Sequence, residues 1–368
     1  MNKLIWMTVS LVVVALYGAC IAAAQPVVQS DSESARAATS DSLLLGPPKD
    51  DGPVVVRASF EFHDITAIND GVETFEFTGV LTLRWHDKRQ AFDPVAEGVD
   101  EKVYSGDYQF NELSPSWFPQ VVIVNSSGAY EKHGVVLRVQ PDGTMTVIEK
   151  LHAAAMTELN LRRFPFDTQR LEAVFEVLGF DDSEVVLQAE SETNSLVANK
   201  LWIPQWIVTG IDMSTRDRPA LHAGRQVMKS ALIASVDVQR ESFYISRLVS
   251  LPLIVIVLLS FSVFWMDRSS LGDRISVSFI GILTAVAYQV VMSEILPKIA
   301  YVNWMNAFLN LSFVMMVGTV LINLMIGVLD QQGRSEVGDR IDRRCRWIFP
   351  LVYFGIILLL FALAFLMF

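Results

Sequence analysis

Short apolar runs, several of which alternate with polar positions, follow one another from residue 54 to about residue 239. Turn-forming sequences such as Asn69-Asp70-Gly71 separate them. The runs are rich in β-branched and aromatic residues and lie at residues 54–56, 75–77, 80–85, 121–124, 135–139, 144–148, 174–177 and 232–236. Many short strands without a strong helical stretch between them predict one antiparallel β-sandwich or barrel domain, over residues 53–242.

The remainder of the chain, residues 243–368, holds four apolar segments at 243–266, 275–296, 303–329 and 347–368. Each is long enough to cross a hydrocarbon core roughly 30 Å thick as a helix. Arginines follow the first and third segments, so these two connections are expected in the cytoplasm. The pattern therefore predicts an extracellular β-sandwich followed by a four-helix transmembrane domain.

The N-terminus carries the features of a secretory signal peptide. Lys3 precedes an apolar run, and Ala22-Ala23-Ala24 offers a cleavage site, so the signal peptide is expected at residues 1–24. Residues 25–52 are rich in Ser, Ala, Asp and Pro and predict a flexible leader. Both features agree with an exported sandwich domain.

Charge changes this picture, because it is unevenly distributed. The whole chain has a formal net charge of -11, whereas residues 25–243 hold 33 acidic and 19 basic side chains, a net charge of -14. Nucleic acid is not an expected partner, since phosphate binding needs a basic surface. The two cysteines exclude a disulfide framework, and the five histidines show no metal-ligand spacing. We find no catalytic motif, and expect neither an enzyme nor a bound metal or cofactor.

The second apolar segment has one distinctive helical face. Spacings of three and four residues place these side chains on it: Asp273, Ser276, Ile280, Leu283, Ala287, Val290 and Glu294. Carboxylates at both ends and an apolar collar in the middle are typical of a pore-lining helix that gates by dewetting. One helix cannot enclose a water path, so several copies must assemble. The alternative is a buried bundle helix whose end charges lie among lipid headgroups.

Several motifs, taken in order, resemble the pentameric ligand-gated ion channel family, the relatives of Cys-loop receptors, and in particular its prokaryotic ELIC-like and GLIC-like members. The resemblance covers roughly residues 53–368. It rests on the block from Trp85 to Val95, Phe164-Pro165-Phe166-Asp167, Phe264-Trp265, Gly272-Asp273-Arg274, Leu283-Thr284, Ile295-Leu296-Pro297-Lys298 and the block from Arg344 to Pro350.

The resemblance implies a homopentameric channel in the lipid bilayer of a bacterial inner membrane, with the sandwich outside. It places Leu283 at the mid-pore gate, Ser276 at the selectivity end and Asp273 in the acidic ring of cation-selective members, which lack the Pro-Ala insertion of anion-selective ones. Monovalent cations are then the expected permeant ions. A gating interface is implied at Asp70, Phe164, Pro165, Phe166, Asp167, Arg240, Pro297, Lys298 and Tyr301. The alternative role for its charged members is ordinary surface ion pairing.

The resemblance does not fix which signal opens the channel. In ELIC-like members an acidic residue and aromatic faces hold a primary ammonium. The corresponding candidates here are Glu176, Leu178, Phe180, Trp117 and Val80, of which Leu178 and Val80 replace aromatic residues. Protons are the other trigger, because Glu73 resembles the proton-sensing glutamate of GLIC-like members, although Ala285 replaces their intramembrane histidine. The agonist is therefore an unidentified small molecule or protons, with modulation by divalent cations also open.

A second class of function uses the same scaffold without conduction. A membrane-anchored sensor or binding protein would pass a signal inward instead of passing ions. The short connection between the third and fourth segments, residues 330–346, has no recognisable effector domain, which argues against this alternative.

Overall fold

The computed structural model describes residues 46–48, 52–113, 117–128, 130–190, 201, 203–222, 224–267, 271–296, 301 and 303–366. The predicted signal peptide and most of the predicted leader lie outside the described residues, as do Pro297 and Lys298. The described part contains ten strands, followed by four long helices.

Two sheets form the N-terminal domain. The strands are β1 (Val54–Asn69), β2 (Thr74–His86), β3 (Lys102–Ser105), β4 (Val121–Ile123), β5 (Glu131–Val139), β6 (Thr144–Met156), β7 (Thr168–Val177), β8 (Val185–Ala189), β9 (Trp206–His222) and β10 (Arg225–Arg240). The six-stranded sheet has the order β3-β5-β6-β2-β1-β8, and the four-stranded sheet has the order β4-β7-β10-β9. The predicted sandwich is confirmed, and its pairs are antiparallel except for β1 with β8, which run parallel.

Alternating side chains from both sheets meet in one aromatic core. Phe60, Phe62 and Phe77 of the six-stranded sheet are buried, and Phe60 lies 4.9 Å from Phe175 of the four-stranded sheet, measured between ring centroids. Truncating one such phenylalanine to alanine costs about 3–5 kcal/mol in a typical core. At Gly79 an added Cβ would clash with the Phe60 ring, so this strand position requires glycine.

Four helices long and apolar enough to span a membrane follow the sandwich. They are α1 (Ser242–Phe261), α2 (Leu271–Ile295), α3 (Trp304–Gln331) and α4 (Ser335–Leu366). Polar pairs lie between them: Ser260 with Thr319 at 3.2 Å, and Ser312 with Tyr353 at 2.8 Å. Such pairs satisfy hydroxyl groups that would otherwise be buried without partners.

Two helix boundaries differ from the prediction. Helix α2 begins at Leu271 rather than at residue 275, because the side chain of Arg274 is buried and paired and its charge does not end the helix. Helix α4 begins at Ser335 rather than at residue 347, so most of the predicted linker is helical. Hydropathy detects only the apolar part of such a helix, whereas helical hydrogen bonding continues into its polar part.

Candidate functional site

The face of α2 that was predicted to line a pore is exposed in the single chain. All seven of its residues are exposed, among them Leu283 at 71%, whereas Ser278, Ala285 and Met292 on the opposite face are buried against the other helices. Tyr288 fixes the helix from behind by donating to the carbonyl oxygen of Val249 at 2.9 Å. The helix therefore presents an ordered row of exposed side chains on the surface of the single chain.

The hydroxyl of Ser276 on this face is bound to its own helix. It donates to the carbonyl oxygen of Gly272 at 2.9 Å. Because its proton is used within the helix, the oxygen lone pairs of Ser276 remain available as acceptors. An acceptor at this position interacts favourably with a cation.

Two neighbouring residues at the start of α2 carry opposite charges and point in opposite directions. Asp273 is exposed, whereas Arg274 is 0% exposed. The Arg274 guanidinium donates to Asp342 of α4 at 2.5 Å and to the carbonyl oxygen of Val263 at 3.0 Å. Asp342 also pairs with Arg346 at 3.5 Å. Sequence reasoning did not identify Asp342, and the only local signal was its spacing of four residues from Arg346.

The predicted gating cluster converges on Arg240, which is buried at the end of β10. Its guanidinium contacts Asp167 at 2.9 and 3.2 Å and Asp70 at 2.8 Å. It also stacks on the rings of Trp206 at 4.0 Å and Phe164 at 4.8 Å, measured to the ring centroids. Trp206 was not predicted as a member of this cluster. The combination of a planar cation, two carboxylates and two aromatic faces holds the end of β10 in one orientation.

The charge of Arg240 does not change near neutral pH. Burial lowers the pKa of its guanidinium, but the hydrogen bonds and charges of Asp70 and Asp167 outweigh burial and raise the pKa above its ordinary value. A raised pKa in a basic group stabilises the fold at every pH below the ordinary value. Any pH response of the protein near neutrality must therefore come from other groups.

The loop that contains Phe164-Pro165-Phe166-Asp167 contacts the helical domain. Phe166 packs edge-on against Trp304 at the start of α3, with ring centroids 5.9 Å apart. The backbone N–H of Leu161 donates to the hydroxyl of Tyr301 at 2.9 Å. One loop therefore joins the Arg240 cluster to the segment that leads into α3.

Comparison with known protein families assigns these two domains. Residues 43–242 match the model for the neurotransmitter-gated ion-channel ligand binding domain, and residues 249–336 match the model for the neurotransmitter-gated ion-channel transmembrane region. The chain belongs to the neurotransmitter-gated ion-channel family. This membership confirms the resemblance found in the sequence, and it confirms that the chain is a multi-pass membrane protein and not an enzyme.

Relatives within the ion-channel family differ in source and in name. The chain is 26% identical to a proton-gated ion channel of Gloeobacter violaceus over 85% of this chain and 84% of the relative. It is 23% identical to the gamma-aminobutyric acid receptor subunit rho-2 of Homo sapiens over 81% of this chain and 63% of the receptor subunit. It is 25% identical to the pH-sensitive chloride channel 2 of Anopheles gambiae over 68% of this chain and 42% of that channel. The chain thus spans less than two thirds of the length of each of the two animal relatives.

The five candidate ligand residues are not gathered in one pocket of the ligand binding domain. Glu176 is buried and accepts from Arg218 at 3.4 Å, so its charge already has a partner. Trp117 packs in the sandwich core against Trp85 and Phe180. Leu178 is exposed, and Val80 lies on the six-stranded sheet, on the face opposite the core. Within one chain, Val80 and Glu176 lie on opposite outer faces of the sandwich.

The proton-sensing candidate Glu73 is exposed in the turn between β1 and β2. Its backbone has a positive φ of 53°, and its carbonyl oxygen accepts from the N–H of Thr157 at 2.9 Å. The same turn holds Asp70 of the Arg240 cluster. Glu73 therefore lies three residues along the chain from a member of the Arg240 cluster.

Proposed function

We propose that this chain forms a homopentameric, cation-selective channel in a bacterial inner membrane, with α2 of each subunit lining the pore and the sandwich outside. The observation that carries the proposal is the exposed face of α2, with Asp273 on it and Arg274 turned away. In one chain this apolar and acidic face is uncovered. When five copies of α2 turn the same face towards a common axis, the faces together line a water-filled path. The opposite side of the bundle offers Leu351, Leu358 and Leu359 of α4 to lipid.

The charge arrangement favours cations. Five copies of Asp273 would place five carboxylates at the inner mouth, whereas the neighbouring positive charge of Arg274 is buried and neutralised by Asp342. Glu294 is exposed near the other end of the same helix. One relative is named a chloride channel, so family membership alone does not determine the sign of the permeant ion. The exposed carboxylates of Asp273 and Glu294 support the proposal that the permeant ions are cations.

Substitution of Asp273 tests this selectivity. In reconstituted channels under a NaCl gradient, we expect the reversal potential of the wild type to follow sodium. Asp273→Asn should lower the sodium-over-chloride permeability ratio by about tenfold, equal to about 1.4 kcal/mol, and Asp273→Lys should move the reversal potential towards chloride. Asp339→Asn, an exposed carboxylate on α4, is the matched control and should change nothing. A wild-type reversal potential that follows chloride would contradict the proposal.

The apolar collar at Ile280, Leu283 and Val290 is the proposed gate. Leu283→Ala widens and wets this constriction in all subunits, so the open state should be favoured at least about tenfold at rest. Leu324→Ala removes an equally large exposed side chain from α3 and serves as the control. Single-channel recording measures the open probability. If even Leu283→Ala conducts nothing under any pH step or ligand, the non-conducting sensor replaces the channel.

Two observations support protons as the opening signal. Arg218 already occupies the carboxylate of Glu176, so that carboxylate is not available to hold an ammonium ligand. The bacterial relative is named a proton-gated ion channel. Acid steps should therefore evoke current, and a screen of primary amines at neutral pH is the comparison that would instead identify a small-molecule agonist.

A further inference from the structure

A polar network joins the helices at the end of the bundle where α2 begins. Arg274 of α2 donates to Asp342 of α4 at 2.5 Å and to the carbonyl oxygen of Val263 at 3.0 Å. Arg346 of α4 donates to the carbonyl oxygen of Phe264 at 2.8 Å. Val263 and Phe264 belong to the short 3-10 turn that follows α1. The two arginines therefore tie α2 and α4 to the end of α1.

Helix α3 joins the same network through Asn323, which is fully buried. Its side-chain N–H donates to the hydroxyl oxygen of Ser278 at 3.3 Å, and the Ser278 hydroxyl donates to the carbonyl oxygen of Arg274 at 2.9 Å. Hydrogen bonds between helices of this kind hold membrane domains together. The start of α2, which carries Asp273 and Ser276 on its exposed face, is thus bound to the three other helices.

The network contains charges that lie at very different depths. The side chains of Arg274 and Asp342 are 0% and 4% exposed, whereas the side chain of Arg346 is 35% exposed. Two guanidinium groups and one carboxylate give the network a formal charge of +1. Without the carboxylate the charge would be +2, and the uncovered charge would lie in the buried position next to Asp273. Water and salt screen a buried charge far less than an exposed one.

We propose that Asp342, which lies on α4 rather than on the pore-lining helix, helps to determine the ion selectivity of the channel. It compensates the charge of Arg274, so that the carboxylate of Asp273 dominates the potential at the inner mouth. Asp342 is a positioning residue, because it acts through Arg274. The inference rests on the proposed cation channel and extends its selectivity from α2 to a second helix.

Reversal potentials of the reconstituted full-length channel in a NaCl gradient test this role. Asp342→Asn should lower the sodium-over-chloride permeability ratio about threefold, because it uncovers one positive charge in each subunit. The decrease should become smaller as the ionic strength rises. Asp342→Glu keeps the charge and should keep the wild-type ratio. Asp339→Asn makes the same change at an exposed position of α4, so it is the matched control and should leave the ratio unchanged.

Two further variants separate charge from structure, and they decide the question even if Asp342→Asn does not assemble. Arg274→Gln breaks the same ion pair but removes the positive charge, so the ratio should not fall. A purely structural contact would instead lower the ratio when broken from either side. Arg274→Gln combined with Asp342→Asn returns the network to its formal charge of +1 and should restore the wild-type ratio.

Three results would each overturn the role of Asp342. They are a wild-type ratio in assembled Asp342→Asn channels, a lowered ratio in Arg274→Gln, and a lowered ratio in the double variant. The wild-type recording tests the proposed function itself: no current, or a reversal potential that follows chloride, would overturn the cation channel. A wild type that follows sodium together with an unchanged Asp342→Asn would overturn only the role of Asp342, so the two failures are distinguishable.

Discussion

Replacing Asp342 by asparagine should destabilise the helical domain by about 3 kcal/mol, because it leaves the Arg274 guanidinium buried without a counter-charge. Arg274 is 0% exposed, and its Nη1 has no hydrogen-bond partner among the described residues even with Asp342 present. The asparagine oxygen can still accept one hydrogen bond, which places the expected loss at the low end for a broken buried pair. The measurement is the thermal stability of the purified oligomer.

A second variant separates charge from packing. When both charges are removed in Arg274→Met with Asp342→Leu, much of the stability should return, since apolar side chains of similar size often replace a buried ion pair without loss. Glu336→Gln, an exposed carboxylate near the start of α4, controls for a general effect of lost negative charge. Wild-type stability in Asp342→Asn would show that the pair contributes little.

Local patterns in the sequence predicted the elements and faces that depend on neighbouring residues. The period of α2 identified its exposed face, because side-chain direction repeats every three to four residues. The Arg240 cluster was predicted only through resemblance, since its members Asp70 and Arg240 are separated by 170 positions. Composition and spacing carry no information about such a contact.

Long-range pairing explains most of what the sequence did not show. Asp342 is 68 positions from Arg274, and Arg218 is 42 positions from Glu176. Each of these partners limits what the charged residue can do: Asp342 neutralises the charge of Arg274, and Arg218 occupies the carboxylate of Glu176. These pairings depend on how the elements pack, which hydropathy and turn signals do not specify.

Arg240→Gln should abolish the response to the opening signal while leaving ion selectivity intact. The substitution removes both ion pairs and leaves the carboxylate of Asp167, which is 1% exposed, without its cationic partner. A loss of about 3 kcal/mol in coupling corresponds to more than a hundredfold decrease in the opening equilibrium. Asp70→Asn should have a smaller effect, because Asp70 supplies one contact and is partly exposed.

The conservative variant distinguishes coupling from simple folding. Arg240→Lys keeps the charge but loses the planar fork that contacts both carboxylates and stacks on Trp206, so it should respond only weakly. Arg170→Gln is the matched control, because Arg170 pairs with Glu172 and Asp212 on the half-exposed surface of the same sheet, where ion pairs contribute about 0–1 kcal/mol. Currents and oligomer stability are recorded for each variant. A normal response in Arg240→Gln would show that the signal reaches α2 by another route. Coupling is assigned to Arg240 if the variant loses the response but still assembles stably. In that case, adding Leu283→Ala to the variant should give currents that keep their cation selectivity.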